Sequence, residues 1–239
     1  FEFEKDIHIP DLSPGDFDEV ETLLEWADIF HFHILSDENM VLGPLKVKDY
    51  IKGKLILHHH HGHPIFLENG EKFRNKYRTL NRRAVVSTPN LLTILPESTW
   101  VPNLVPINDK RYIPDNNKNY RRVSLRVGHS PTRKDLKRTD IFLDVIGELK
   151  NERCDIEPVL IENLLHDECL EIKQSCHFFF DQIGPSFGVS SLEALSQGIP
   201  TAARLNKLNF DELMNFTNSE WTPWINVTDP ASLKATIED

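Results

Sequence analysis

The sequence is short of cysteine, glycine, basic residues and long apolar runs, and each shortage excludes something. Its three cysteines (Cys154, Cys169, Cys176) are odd in number and form no Cys-x-x-Cys pair. That excludes a disulfide framework and a zinc ribbon, and it favours a reducing compartment, read here as the cytoplasm. The 10 glycines and 15 prolines are scattered through 239 residues, unlike those of a fibrous or linker-like chain. No apolar run reaches the roughly 18–20 residues of a membrane span, which leaves open only peripheral contact with a membrane. The first residues, FEFEKDIHIP, lack the basic start and apolar middle of a secretion signal. Lys+Arg 27 against Asp+Glu 37 gives a net charge of −10. Such a chain has no general attraction for nucleic-acid phosphates, so nucleic acid is not an expected partner and any anion site must be a local basic cluster. No nucleophile elbow, Walker loop or Gly-x-Gly-x-x-Gly run occurs, which argues against a dehydrogenase.

What is present is an ordered, globular composition, 39% hydrophobic and 27% charged. Strand-like and helix-like stretches alternate along it. In the first half, helical spacing covers 16–26 (Val20, Leu23 and Leu24 on one face), 46–53, 71–80 and, briefly, 89–95. Short apolar strands are expected at 28–35, 54–61, 83–87 and 100–102. Residues 102–121 are rich in proline and asparagine without a sustained period and read as a boundary. The second half continues with strands at 123–130, 156–162, 177–183 and 200–205. Helices are expected over 132–152, 166–176, 188–198 and 209–216. Ile141, Phe142, Val145, Ile146 and Leu149 fall on one face of the long helix, and HFFFDQI is apolar on both faces, as buried parallel strands are. The expectation is an α/β protein with two Rossmann-like domains, residues 1–108 and 122–239, joined by a linker at 109–121.

Candidate chemistry concentrates in DQIGPSFGVSSLEALSQGIPTAA (181–203). A buried strand turns through small residues into a helix that begins with Gly188, Val189, Ser190 and Ser191. Unpaired N–H groups and the helix dipole favour an anion there. Glu193, one turn further, suits the two hydroxyls of a ribose. Arg133, Lys134, Lys137 and Arg138 cluster within six residues at the start of the same half. Two such cations can neutralise a diphosphate, a guanidinium by forking onto two oxygens and an ammonium as a point charge.

These segments resemble the retaining, nucleotide-sugar-dependent glycosyltransferases of the two-Rossmann-domain (GT-B) type, family 4 group. Their C-terminal motif is Glu, seven residues, Glu, then Ala, a small residue, Gly and Pro. Glu193 through Pro200 match its second half, and Pro185 stands at the first Glu, with Asp181-Gln182 as the polar pair just before it. VGHSPTRKDLKRTD (127–140) resembles the family's phosphate-facing loop, with Arg133 and Lys137 matching its Arg and Lys and Arg138 standing where Gly is usual. His61-Gly62 matches a His-Gly element, and STPNLLTILPESTWVPN (87–103) resembles the run that closes the first domain, with Asn90 in place of Asp.

The resemblance implies two domains facing across a cleft, with the first domain incomplete at its start. It also implies transfer of a sugar, with retention, from a nucleotide-diphosphate donor to a carbohydrate or lipid-linked acceptor. Catalysis would fall to His61, Arg133 and Lys137, and donor binding to Gly188, Val189, Ser190, Ser191 and Glu193, with no cofactor and no metal. Two other classes remain, a non-catalytic nucleotide-sugar-binding or scaffold protein and a sugar-nucleotide epimerase. The dense histidines (His31, His33 and His58–His61 with His63) are expected to be structural or cleft-lining. On a strand, His59 and His61 share one face and His58 and His60 the other, and no carboxylate or cysteine is adjacent.

Overall fold

The computed structural model describes residues 13–115, 124–152 and 155–239. The acidic start, residues 116–121 of the expected linker, Val123 and Cys154 lie outside them. The chain forms two compact α/β units, Phe1–Pro102 and Asn103–Asp239. Residues 109–113, assigned from sequence to a linker, are held to the second unit. Lys110–Tyr112 form a 3-10 turn, the Arg111 guanidinium meets Asp167, and Gln197 donates to the Arg111 carbonyl at 2.8 Å.

In the first unit, α1 (Phe17–Trp26) leads into β1 (Ile29–His33). A hairpin follows, β2 (Val41–Leu42) against β3 (Leu45–Lys46), and then β4 (Leu55–His60). Next come α2 (Pro64–Glu68), α3 (Gly70–Leu80), β5 (Arg83–Val86) and β6 (Thr99–Trp100). The sheet is parallel, in the order β1-β4-β5-β6. The helix expected over 46–53 is only a 3-10 turn, Val47–Asp49, because the hairpin consumes its start and one turn is too short to propagate. The stretch at 89–95 is likewise a 3-10 turn, Pro89–Thr93. Phe30, Phe32, Val47 and Ile56 make the core, with Leu24 packed against it.

The second unit runs β7 (Leu125–His129), α4 (Lys134–Lys137), α5 (Thr139–Glu152), β8 (Ile156–Leu160), α6 (His166–Gln174) and β9 (Phe178–Phe180). It continues with α7 (Val189–Ser196), β10 (Thr201–Ala203), α8 (Lys207–Thr217), β11 (Trp224–Asn226) and α9 (Pro230–Glu238). The sheet is again parallel, in the order β11-β10-β9-β7-β8. Counted from its own first strand this is 2-1-3-4-5, a doubly wound Rossmann-like order whose direction reverses at β7/β9. Ile141, Phe142, Val145, Ile146 and Leu149 pack with Phe178 and Phe180 on one face, while Phe179 joins Val159, Ile161 and Ala194 on the other. The expected helix over 132–152 is broken at Arg138, whose φ of +54° is left-handed. This is the position where the resembling family carries Gly, the residue that adopts such a φ without steric cost.

Candidate functional site

A doubly wound sheet binds ligands beyond the carboxyl ends of its strands, at the point where strand order reverses. Here that is the crevice between β7 and β9, and the residues found there carry charge. Asp181 immediately follows β9 and is 2% exposed. Its Oδ1 accepts from Lys137 Nζ at 2.5 Å and its Oδ2 from the Gly188 N–H at 2.6 Å. Burial pushes the Asp181 pKa up. The Lys137 charge and hydrogen bond and the Gly188 N–H outweigh burial and hold it below the usual carboxylate value. The start of α7 and the Lys137 ammonium therefore converge on an anion, which in the free chain is the protein's own Asp181 carboxylate rather than the expected phosphate.

The approach is close, and a side chain at 188 would have to push the Lys137 ammonium aside. A Cβ there would lie 2.5 Å from Lys137 Nζ and 3.3 Å from Asp181 Oδ1. Ser191 is buried and donates to the Gly188 carbonyl at 2.7 Å, completing the first turn of α7. The N–H groups of Val189 and Ser190, being the first two of the helix, have no intrahelical acceptor. His129 ends β7 fully buried. Its Nδ1 donates to the Phe180 carbonyl at 3.0 Å, so its Nε2 accepts from the Thr139 hydroxyl at 2.9 Å. Burial lowers its pKa to about 4, so it is a neutral clamp between the two strands.

Arg133 does not join this group. Its guanidinium forks onto Asp135 at 3.0 and 2.7 Å on the exposed side of α4, while Lys134 pairs with Glu162 and Arg138 with Asp140. Glu193 is buried, and both carboxylate oxygens are occupied. Oε2 accepts from Lys173 Nζ at 2.5 Å, and Oε1 lies 2.9 Å from Nε2 of His166. Lys173 and His166 were not expected from sequence. The signal for the first was a lysine within the apolar stripe of α6, on the face that carries Cys169 and Leu170.

A cavity of about 750 Å³ opens at the other, amino ends of the strands, lined by Leu125, Phe178 and Pro200 among others. No expected site residue lines it.

His61 is in the first unit, where the histidine run divides. His58 and His60 point to the core, His58 Nε2 lying 3.4 Å from Glu38 and His60 Nε2 2.6 Å from the Tyr77 hydroxyl. His63 caps α2, accepting from the Ile65 N–H at 3.2 Å. His61 Nε2 is 2.9 Å from Nδ1 of His33. The expected division of faces is observed, and the parallel pairing of β1 with β4, which sets His33 opposite His59, adds the histidines of β1 to one of them.

No family model and no curated protein matches the sequence. Solved structures do match. Accessory secretory protein 1, 2 and 3 of Streptococcus pneumoniae is similar at 12% identity and a TM-score of 0.53, over 94% of this chain and 49% of that one. The GtfA/B complex is similar at 12% and 0.52, over 92% and 52%, and TarM at 14% and 0.51, over 78% and 43%. The chain thus spans about half the length of these structures. The likeness is one of fold, and it identifies the α/β architecture as the GT-B type, built of Rossmann-like units with parallel sheets. Among the described residues no helix is long and apolar enough to cross a membrane.

Proposed function

We propose that the second unit binds the diphosphate of a nucleotide-sugar donor at the β7/β9 crevice, and that the protein is a glycosyltransferase acting, with retention, on a carbohydrate or lipid-linked acceptor in the cytoplasm. The observation that supports this most is the meeting of Lys137, Asp181 and the start of α7 at the reversal of strand order. An ammonium has three donors, so Lys137 can hold Asp181 and a phosphate oxygen together. The Val189 and Ser190 N–H groups add fixed dipoles, and Arg133, tied only to an exposed Asp135, is able to turn onto the leaving diphosphate. Catalysis is then positioning plus charge stabilisation by Arg133 and Lys137, without a divalent metal at the diphosphate. Glu193 takes the ribose through Oε1, displacing His166, whose side chain is 60% exposed, while Lys173 keeps Oε2. His61 contacts the donor sugar or its phosphate.

One observation favours a second reading, nucleotide-sugar binding without transfer as one chain of an assembly. Pro185 occupies the position of the motif's first Glu and offers no group to a sugar. Of the similar structures, one is a GtfA/B complex and another contains accessory secretory proteins 1, 2 and 3 together. Calorimetric titration with nucleoside diphosphates and their sugars, followed by a donor-turnover assay with and without candidate acceptors, separates the two. Binding with turnover supports the transferase, and binding without it supports the second reading. Absence of any binding rejects both.

A further inference from the structure

The histidines on the outer face of the first unit's sheet form a compact imidazole cluster, of which the proposed donor chemistry uses only His61. β1 is the edge strand, and its alternation puts Phe30 and Phe32 into the core and His31 and His33 on the opposite, exposed face. Parallel pairing places His33 beside His59, on the same face. One nitrogen from each of His31, His33 and His59 lies within 4.8 Å of the others. The ring of His59 stacks on that of His31, with centroids 5.3 Å apart. Both ring nitrogens of His59 are buried and have no hydrogen-bond partner among the described residues. An imidazole with two orphaned buried nitrogens is costly unless something satisfies it.

We propose that His31, His33 and His59 bind a borderline divalent transition-metal ion, zinc above all, through one ring nitrogen each. Neutral imidazole is the ligand such ions prefer, and three of them leave a fourth tetrahedral position for water. His61, hydrogen-bonded to His33 at 2.9 Å, acts as a positioning residue that fixes the His33 ring. The ion would also tie the edge strand to its neighbour. No metal is expected here from sequence, because the two faces of β4 split its histidines and no carboxylate or cysteine is adjacent. Two of the three ligands, His31 and His33, come from β1, a strand that only the fold brings alongside.

The test titrates zinc chloride into the chelator-stripped full chain by calorimetry. About one equivalent is expected to bind, with cobalt(II) showing the visible absorption of a four-coordinate site. His31→Gln with His33→Gln, both on the exposed face, should weaken zinc by about 100-fold or more, beyond what loss of an outer partner costs, and His61→Ala by roughly 10–100-fold. His63→Gln, outside the cluster, should leave it unchanged. Circular dichroism checks that the exposed-face variants fold, so the result does not hang on the buried His59. No stoichiometric zinc, unchanged affinity in the double variant, or equal weakening by His63→Gln would overturn the site.

Discussion

Lys173 is 1% exposed, and three acceptors surround its ammonium: Ser190 O at 3.2 Å, Ser190 Oγ at 2.9 Å and Glu193 Oε2 at 2.5 Å. Each of its three N–H groups is thereby matched. Removing one partner of such a buried pair strands the other. Glu193→Gln should lose about 3–5 kcal/mol of stability in urea denaturation, and adding Lys173→Met should restore much of it. A loss below about 1 kcal/mol would mean that the pair does not bear on the fold. His166 holds the other oxygen of Glu193 from an exposed position. If ribose hydroxyls take that oxygen, His166→Ala should tighten a ribonucleoside diphosphate by about fivefold, one net hydrogen bond, and its 2′-deoxy analogue, which keeps only the 3′-hydroxyl, by less. No tightening of the ribonucleoside diphosphate would remove Glu193 from the ribose. Glu193 and Gly188 stood out in the sequence because each lies in a local motif. Lys173, 20 residues away, was not, since nothing in α6 says which helix it will face.

At the scale of elements, the break between α4 and α5 sits at Arg138, a left-handed non-glycine residue whose guanidinium only pairs with exposed Asp140. Arg138→Gly removes the Cβ clash while adding freedom to the unfolded chain, so a net gain of about 0.5–1 kcal/mol is expected, read as a higher urea midpoint. A lower midpoint would show that the left-handed turn is unstrained. β7 and β9 are clamped by His129, whose pKa falls from 6.5 to about 4 on burial. The unfolded chain therefore takes up the proton first as pH drops. Stability is full above pH 6.5 and declines through pH 4, by up to about 3 kcal/mol from this residue. In a denaturation series from pH 7 to 4.5, His129→Asn should flatten the slope, and an unchanged slope would assign it to other groups. Helical periodicity and the doubly apolar HFFFDQI stretch made α5 and β9 readable. The 3-10 turns at 47–49 and 89–93 were not, because one or two turns leave no period to detect, and the meeting of β1 with β4 was not, because pairing is a long-range property.

For the molecule as a whole, the alternation of strands and helices pointed to an α/β protein and the motif resemblance to the GT-B type, and the two parallel sheets and the similar solved structures agree in fold. The strand order 2-1-3-4-5 of the second unit, which only the fold shows, is what directs attention to β7/β9, where Lys137, Asp181 and Gly188 meet. Arg133, joined to Lys137 by sequence spacing, lies apart, because an exposed arginine takes its nearest carboxylate, Asp135. The most direct test is therefore calorimetric titration of the full chain with a ribonucleoside diphosphate, wild type against Arg133→Ala/Lys137→Ala, with folding checked by circular dichroism. Binding should be weakened by about 1–3 kcal/mol for each charge-assisted hydrogen bond removed, on the order of 10–100-fold or more in affinity. Equal affinity in the two proteins, or no binding to the wild type, would contradict a diphosphate site at the β7/β9 crevice.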